Sequence, residues 1–168
     1  SYQYSGGNEI NDYVEIYNAS REEQHIGGLT LRDMEGYTDI TVPAGTMLDK
    51  YSRIVLHPDY GDNGYVDQNN MRHFYANRVG SAANLGITGE YYRAALGLFT
   101  SPACDSASMV DFLLISEAAT WTQTWDDTAI ELGMWTDNAT PDMGSKNDTD
   151  NAVLLAADGF DSDQTTNW

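Results

Sequence analysis

Between Asp12 and His57 the chain repeats one kind of unit: a short run with apolar side chains at alternate places, or in a compact β-branched block, closed by Gly, Pro, Asn or Ser. Successive side chains leave a strand on opposite faces, so period two marks a strand with one face buried. The clearest case is Asp12-Tyr-Val-Glu-Ile-Tyr17, which sets Tyr13, Glu15 and Tyr17 on one face and Val14 and Ile16 on the other. Asn18-Ala-Ser20 ends it. Ile26-Gly-Gly-Leu-Thr-Leu31 reads as a turn into a second strand, Tyr37 to Val42 as a third closed by Pro43-Ala-Gly45, and Arg53 to His57 as a fourth. Strands spaced by roughly a dozen residues are the rhythm of a β-sandwich. A chain of 168 residues supports one self-sufficient core, so residues 1–168 are expected to form a single domain.

Composition agrees with an all-β fold. Asp outnumbers Glu by 18 to 8, and Asp, Asn, Gly, Ser and Thr favour turns over helix interiors. The 11 Tyr and 4 Trp suit a pleated surface. A net charge of -18 excludes a nucleic-acid binder that works by neutralising phosphates. Such a charge repels itself unless salt screens it or cations bind it. The longest apolar runs, such as Phe112 to Ile115, are too short to span a bilayer as a helix, and no membrane insertion is expected.

The stretch from Pro58 to Ser108 reads as a long irregular insertion. Pro58 to Asn70 is rich in Gly, Asp and Asn, with Asp62-Asn63-Gly64 suited to a tight turn, and predicts an exposed loop or hairpin. Tyr91, Ala94, Ala95 and Leu98 share a face at helical spacing and predict a short helix around Glu90 to Leu98. Asp111 to Ser116, Ala129 to Trp135 and Ala152 to Ala157 read as further strands.

Asn11-Asp-Tyr-Val-Glu-Ile-Tyr-Asn18, Ile26-Gly-Gly-Leu-Thr-Leu31, Val42-Pro-Ala-Gly-Thr46 and Ile54-Val-Leu56 together resemble the lamin-tail domain as carried by secreted microbial proteins. In that family an acidic strand ending in Glu-x-x-Asn leads to a Gly-x-x-Leu strand, a Pro-x-Gly-Thr turn and an aliphatic strand. Glu15, Asn18, Gly28, Pro43 and Gly45 occupy those positions here, and Asn167-Trp168 is similar to the family's close. The match covers residues 8–57 closely and 109–168 loosely, and 58–108 has no counterpart. The resemblance implies an immunoglobulin-like β-sandwich that is not an enzyme, a module of nuclear lamins or of extracellular proteins carrying nucleases, other hydrolases or surface anchors. Two departures stand out: the family's first strand is shortened to Ser1-Tyr-Gln-Tyr4, and the apolar Leu155 to Ala157 replaces a segment that usually holds Arg.

Candidate chemistry is sparse. Glu15 and Asn18 read as residues that fix a turn through backbone bonds. His25, His57 and His73 are too dispersed in sequence for a familiar metal spacing. Cys104 is the single cysteine, forms no internal disulfide, and reads as a loop or core thiol. Three acidic turns gather hard oxygen donors: Asp59, Asp62 and Asn63; Asp148 and Asp150; and Asp158, Asp161 and Asp163. Each reads either as a solvated loop or as a Ca2+ site, without the EF-hand register. Trp121, Trp125 and Trp135 read as core or as an aromatic platform for a surface polysaccharide. Asn18 and Asn147 open the better N-glycosylation sequons.

These readings converge on a non-catalytic structural or adhesive module, extracellular or at the cell surface. Its expected partners are other copies of itself, joined into a fibre, sheath or layer by strand exchange at an incomplete sandwich edge. The alternative is an accessory binding domain of a secreted nuclease or other hydrolase.

Overall fold

The computed structural model describes residues 13–33, 39–77, 93–116 and 124–135. Ten strands and one helix occupy them: β1 (Val14–Tyr17), β2 (Gln24–His25), β3 (Thr30–Asp33), β4 (Asp39–Thr41), β5 (Met47–Leu48), β6 (Arg53–His57), β7 (Tyr65–Val66), β8 (Arg72–Tyr75), β9 (Arg93–Phe99), β10 (Met109–Ser116) and α1 (Thr124–Glu131). Two four-stranded sheets, ordered β1-β6-β8-β7 and β10-β9-β3-β4, are accompanied by the small pair β2-β5. All pairings are antiparallel except that of β6 with β8.

The sheets share one core. Ile54, Leu56 and Phe74 from the first sheet pack with Leu31, Ile40 and Leu96 from the second, joined by Ile26, Val42 and Leu48. This is the all-β sandwich that strand rhythm and composition predict. A second cluster covers the far face of β9 and β10, where Ala95, Phe99, Phe112 and Leu114 meet Ala129 of α1 and Trp135. Over residues 95–99 and 112–114, β9 and β10 are therefore covered on both faces and read as continuous apolar runs instead of alternating ones.

That two-sided burial overturns three expectations. Helical spacing around Glu90 to Leu98 is an accident of a doubly apolar strand: residues 93–99 form β9, with Leu96 and Leu98 toward one cluster and Ala95 and Phe99 toward the other. Conversely, Ala129 to Trp135 is not a strand but the end of α1 and its cap. Gly133, at φ 74°, closes the helix in a Schellman motif, with Met134 N donating to Ala129 O (2.8 Å) and Gly133 N to Ile130 O (3.0 Å). Nor are the described residues of the stretch 58–108 an irregular insertion. They supply β7 and β8 to the first sheet and β9, the neighbour of both β10 and β3, to the second. The expected strand Ala152 to Ala157 lies outside the described residues.

Candidate functional site

Three residues matched to the strand-turn pattern act on backbone geometry. Gly28 (φ 92°) and Gly45 (φ 78°) hold left-handed conformations that glycine adopts without Cβ strain, and the Pro43 carbonyl accepts from Thr46 N (3.2 Å) and Thr46 Oγ1 (2.6 Å). Asn18 is buried. Its Nδ2 lies 2.8 Å from Glu22 O, 3.1 Å from Leu48 O and 3.0 Å from Asp49 O, while its Oδ1 accepts from Ser20 N at 3.0 Å. One amide thereby ties the end of β1 to the loop after β5. The same geometry contradicts the glycan expected there, because a sugar on Nδ2 would displace those bonds and needs space that a buried side chain lacks. Glu15 faces across the sheet instead of into a turn, pairing with Arg53 Nη1 at 3.6 Å. Arg53 in turn stands 5.2 Å above the Tyr17 ring.

The turn Asp59, Asp62, Asn63 commits part of its oxygen set to the backbone. Asn63 Oδ1 accepts the Tyr75 backbone N–H, the Asp62 carbonyl accepts Tyr65 N (3.1 Å), and Asp59 Oδ1 is buried without a hydrogen bond. Burial pushes the Asp59 carboxyl above its ordinary pKa. Among the described residues no three His, Cys, Asp or Glu side chains gather in a metal-holding group. Asn147, Asp148, Asp150, Asp158, Asp161, Asp163, Trp121 and Trp168 lie outside the described residues. Two tryptophans assigned to a sugar platform serve the interior: Trp125 meets Phe99 edge-on (6.1 Å, 80°) and Trp135 meets Phe112 likewise (6.1 Å, 79°). Burial raises the Cys104 thiol pKa, keeping it protonated and a poor nucleophile.

The chemistry that spacing missed lies on the outer face of the first sheet. Parallel registry places His57 beside Tyr75 and Val55 beside His73, and the next pairing places His73 beside Tyr65. Period two then sends both imidazoles to the side away from Leu56 and Phe74, which face the core. The rings stand as a stack: His57 on Tyr75 (4.5 Å between centroids, 10° between planes) and on His73 (5.1 Å, 14°), with Tyr13 and Tyr65 tilted against its flanks at 6.1 Å and 5.7 Å. His57 Nε2 and His73 Nδ1 share a hydrogen bond of 2.8 Å. Burial first, and His73 second, lower the His57 pKa to about 4, so at neutral pH this pair is uncharged on the His57 side.

His73 Nε2 is buried without a hydrogen-bond partner. It points to Asp67 Oδ2 at 3.6 Å, beyond hydrogen-bond range. Asp67 begins the β7–β8 turn, and its Oδ1 accepts the backbone N–H groups of Asn69 and Met71, both at 2.9 Å. Those bonds, Met71's foremost, hold its carboxyl below the ordinary carboxylate range. The rim of this face is open: Tyr13 is 49% exposed, Tyr65 46%, Val66 48% and Tyr60 64%.

Comparison with known proteins finds no matching family model, no matching curated protein and no matching solved structure.

Proposed function

We propose that this chain is a non-catalytic structural or adhesive module of the extracellular space or cell surface, an immunoglobulin-like sandwich of the lamin-tail kind, which associates with further copies of itself. The observation that supports this most is the rim of half-exposed Tyr13, Tyr60, Tyr65 and Val66 beside the ordered ring stack. Tyrosine offers a large contact area with few rotatable bonds and a polar tip, which suits recognition on a rigid sheet. β7, the terminal strand of its sheet among the described residues, carries two of these side chains. An edge with outward apolar groups offers a second chain both contact area and unpaired backbone groups.

Charge opposes the contact. Two copies at -18 repel beyond contact distance at low salt, and the repulsion fades as the Debye length shrinks to about 8 Å at physiological ionic strength. Association therefore requires salt or bridging Ca2+, the latter drawn to acidic turns such as Asp148 to Asp150 and Asp158 to Asp163. Sedimentation velocity across a salt series, with Ca2+ and with chelator, tests the reading. Larger species are expected at raised salt or with Ca2+, and Tyr65→Glu with Val66→Lys should disperse them. Particles that stay at the 18.6 kDa of one chain under every condition overturn it. A pull-down on insoluble polysaccharides separates the accessory-domain alternative: retention lost on Tyr13→Ala and Tyr65→Ala favours that role.

A further inference from the structure

We infer that Asp67 and His73 form the protein half of a Zn2+ site in the β7–β8 turn. The two atoms are spaced as two ligands of one ion would be. The 3.6 Å gap between His73 Nε2 and Asp67 Oδ2 is too long for a hydrogen bond, yet bonds of about 2.0–2.1 Å from each atom to one Zn2+ close it at an angle of about 120°.

Each ligand is fixed from behind. The other imidazole nitrogen, Nδ1, is held by His57 Nε2 at 2.8 Å, the kind of outer contact that sets the tautomer and orientation of a metal-bound histidine. With Nε2 on the metal, the His73 proton sits on Nδ1 and is donated to His57, which makes His57 a positioning residue. The other carboxylate oxygen of Asp67 is anchored by the N–H groups of Asn69 and Met71, leaving Oδ2 turned toward His73. Asn69 Nδ2 lies 3.5 Å from Asp67 Oδ2, and with an ion bound the amide would turn over to offer its oxygen as a third donor. Water would complete the coordination from the solvent-facing edge of Asp67.

One imidazole, one carboxylate and one amide suit Zn2+ far better than Ca2+, which takes six to eight oxygens. That difference matters for a chain whose -18 charge attracts any divalent cation loosely. The inference does not depend on the proposed self-association.

The test is calorimetric titration of Zn2+ into the chelator-stripped chain at pH 7, with 15N chemical shifts of the imidazoles read in parallel. One ion per chain is expected, with the largest shift at His73 Nε2 and no displacement by Ca2+ or Mg2+ at equal concentration. Asp67→Asn keeps an oxygen for the two backbone N–H groups and loses the carboxylate charge, so affinity should fall at least about tenfold. Asn69→Ala, at an exposed turn position, should weaken binding severalfold while the circular dichroism stays that of the parent. Affinity within twofold of the parent in Asp67→Asn, a principal shift at His25, or displacement by equimolar Ca2+ would each overturn the assignment.

Discussion

Replacing Asn18 by Asp changes almost nothing in shape and reverses the chemistry at the tie between β1 and the loop after β5. The side-chain nitrogen that lies 2.8–3.1 Å from three carbonyl oxygens becomes a carboxylate oxygen facing the same three acceptors. Removing the donor altogether, as in Asn18→Ala, leaves partly buried carbonyls short of partners and costs about 2–3 kcal/mol. The carboxylate adds repulsion and desolvation, which raises the loss to about 4 kcal/mol at pH 7. In melting temperature that is a fall of roughly 8–16 °C for a domain of this size.

The two variants separate in acid. A carboxyl surrounded by carbonyl oxygens has a folded-state pKa above its unfolded value of about 3.9, so the folded state binds more protons and gains stability as pH falls through that raised value. Protonation also restores one donor. The deficit of Asn18→Asp relative to the parent should therefore shrink between pH 7 and pH 4.5, while that of Asn18→Ala stays level. Urea denaturation followed by tryptophan fluorescence, parent and both variants at each pH, measures the differences directly. An Asp variant no less stable than the Ala variant at pH 7, or a deficit indifferent to pH, refutes the reasoning.

His57 sets the opposite slope for the parent. Its folded pKa of about 4 lies below the ordinary 6.5, so the unfolded chain binds more protons between those values. Its contribution is complete above about pH 6.5 and is lost as pH falls toward 4. The gap corresponds to about 3 kcal/mol, reduced to about 2 for its partial exposure, and His57→Gln in chelator should abolish that share of the acid sensitivity in urea titrations. A methyl on Gly27 would stand 2.5 Å from Gly45 N and 2.9 Å from Thr46 N. These are backbone atoms that cannot swing away, so Gly27→Ala should cost about 2–3 kcal/mol, read as a lowered urea midpoint with an unchanged slope. Gly61→Ala drives its methyl into the Tyr75 ring, and displacement of that ring from His57 should appear as altered Tyr75 and His57 resonances.

Strands with one buried face were legible. β1 alternates because Val14 and Ile16 pack on the core while Glu15 faces Arg53, and β6 was recognisable from its β-branched block. The amide of Asn18 sat where a turn residue belongs, and its bonding agrees. Periodicity failed where burial is two-sided: β9 lies between two clusters, so an apolar side chain at every place satisfied a helical template equally well. The end of α1 failed for the converse reason, since the apolar Ala129, Ile130, Leu132, Met134 and Trp135 fall in a stretch too short for spacing to arbitrate. The imidazole pair escaped because nothing local joins residues 57 and 73. Only the parallel pairing of β6 and β8 brings them into adjacent rows, and pairing between strands is a tertiary choice that composition does not encode.

The order β1-β6-β8-β7 also sets a timetable for the nascent chain. Once His57 has emerged into solution, β1 and β6 can zip together, but the opposite edge of β6, with Val55 and Leu56 destined for burial, stays bare. Its partner β8 is made only after β7 and their turn, and β7 pairs with the far edge of β8. β7 and β8 can therefore close as a hairpin and dock on β6 together. Until then the emerging chain presents an aliphatic edge open to pairing with another molecule. At about 5–20 residues per second, the interval is of order a second.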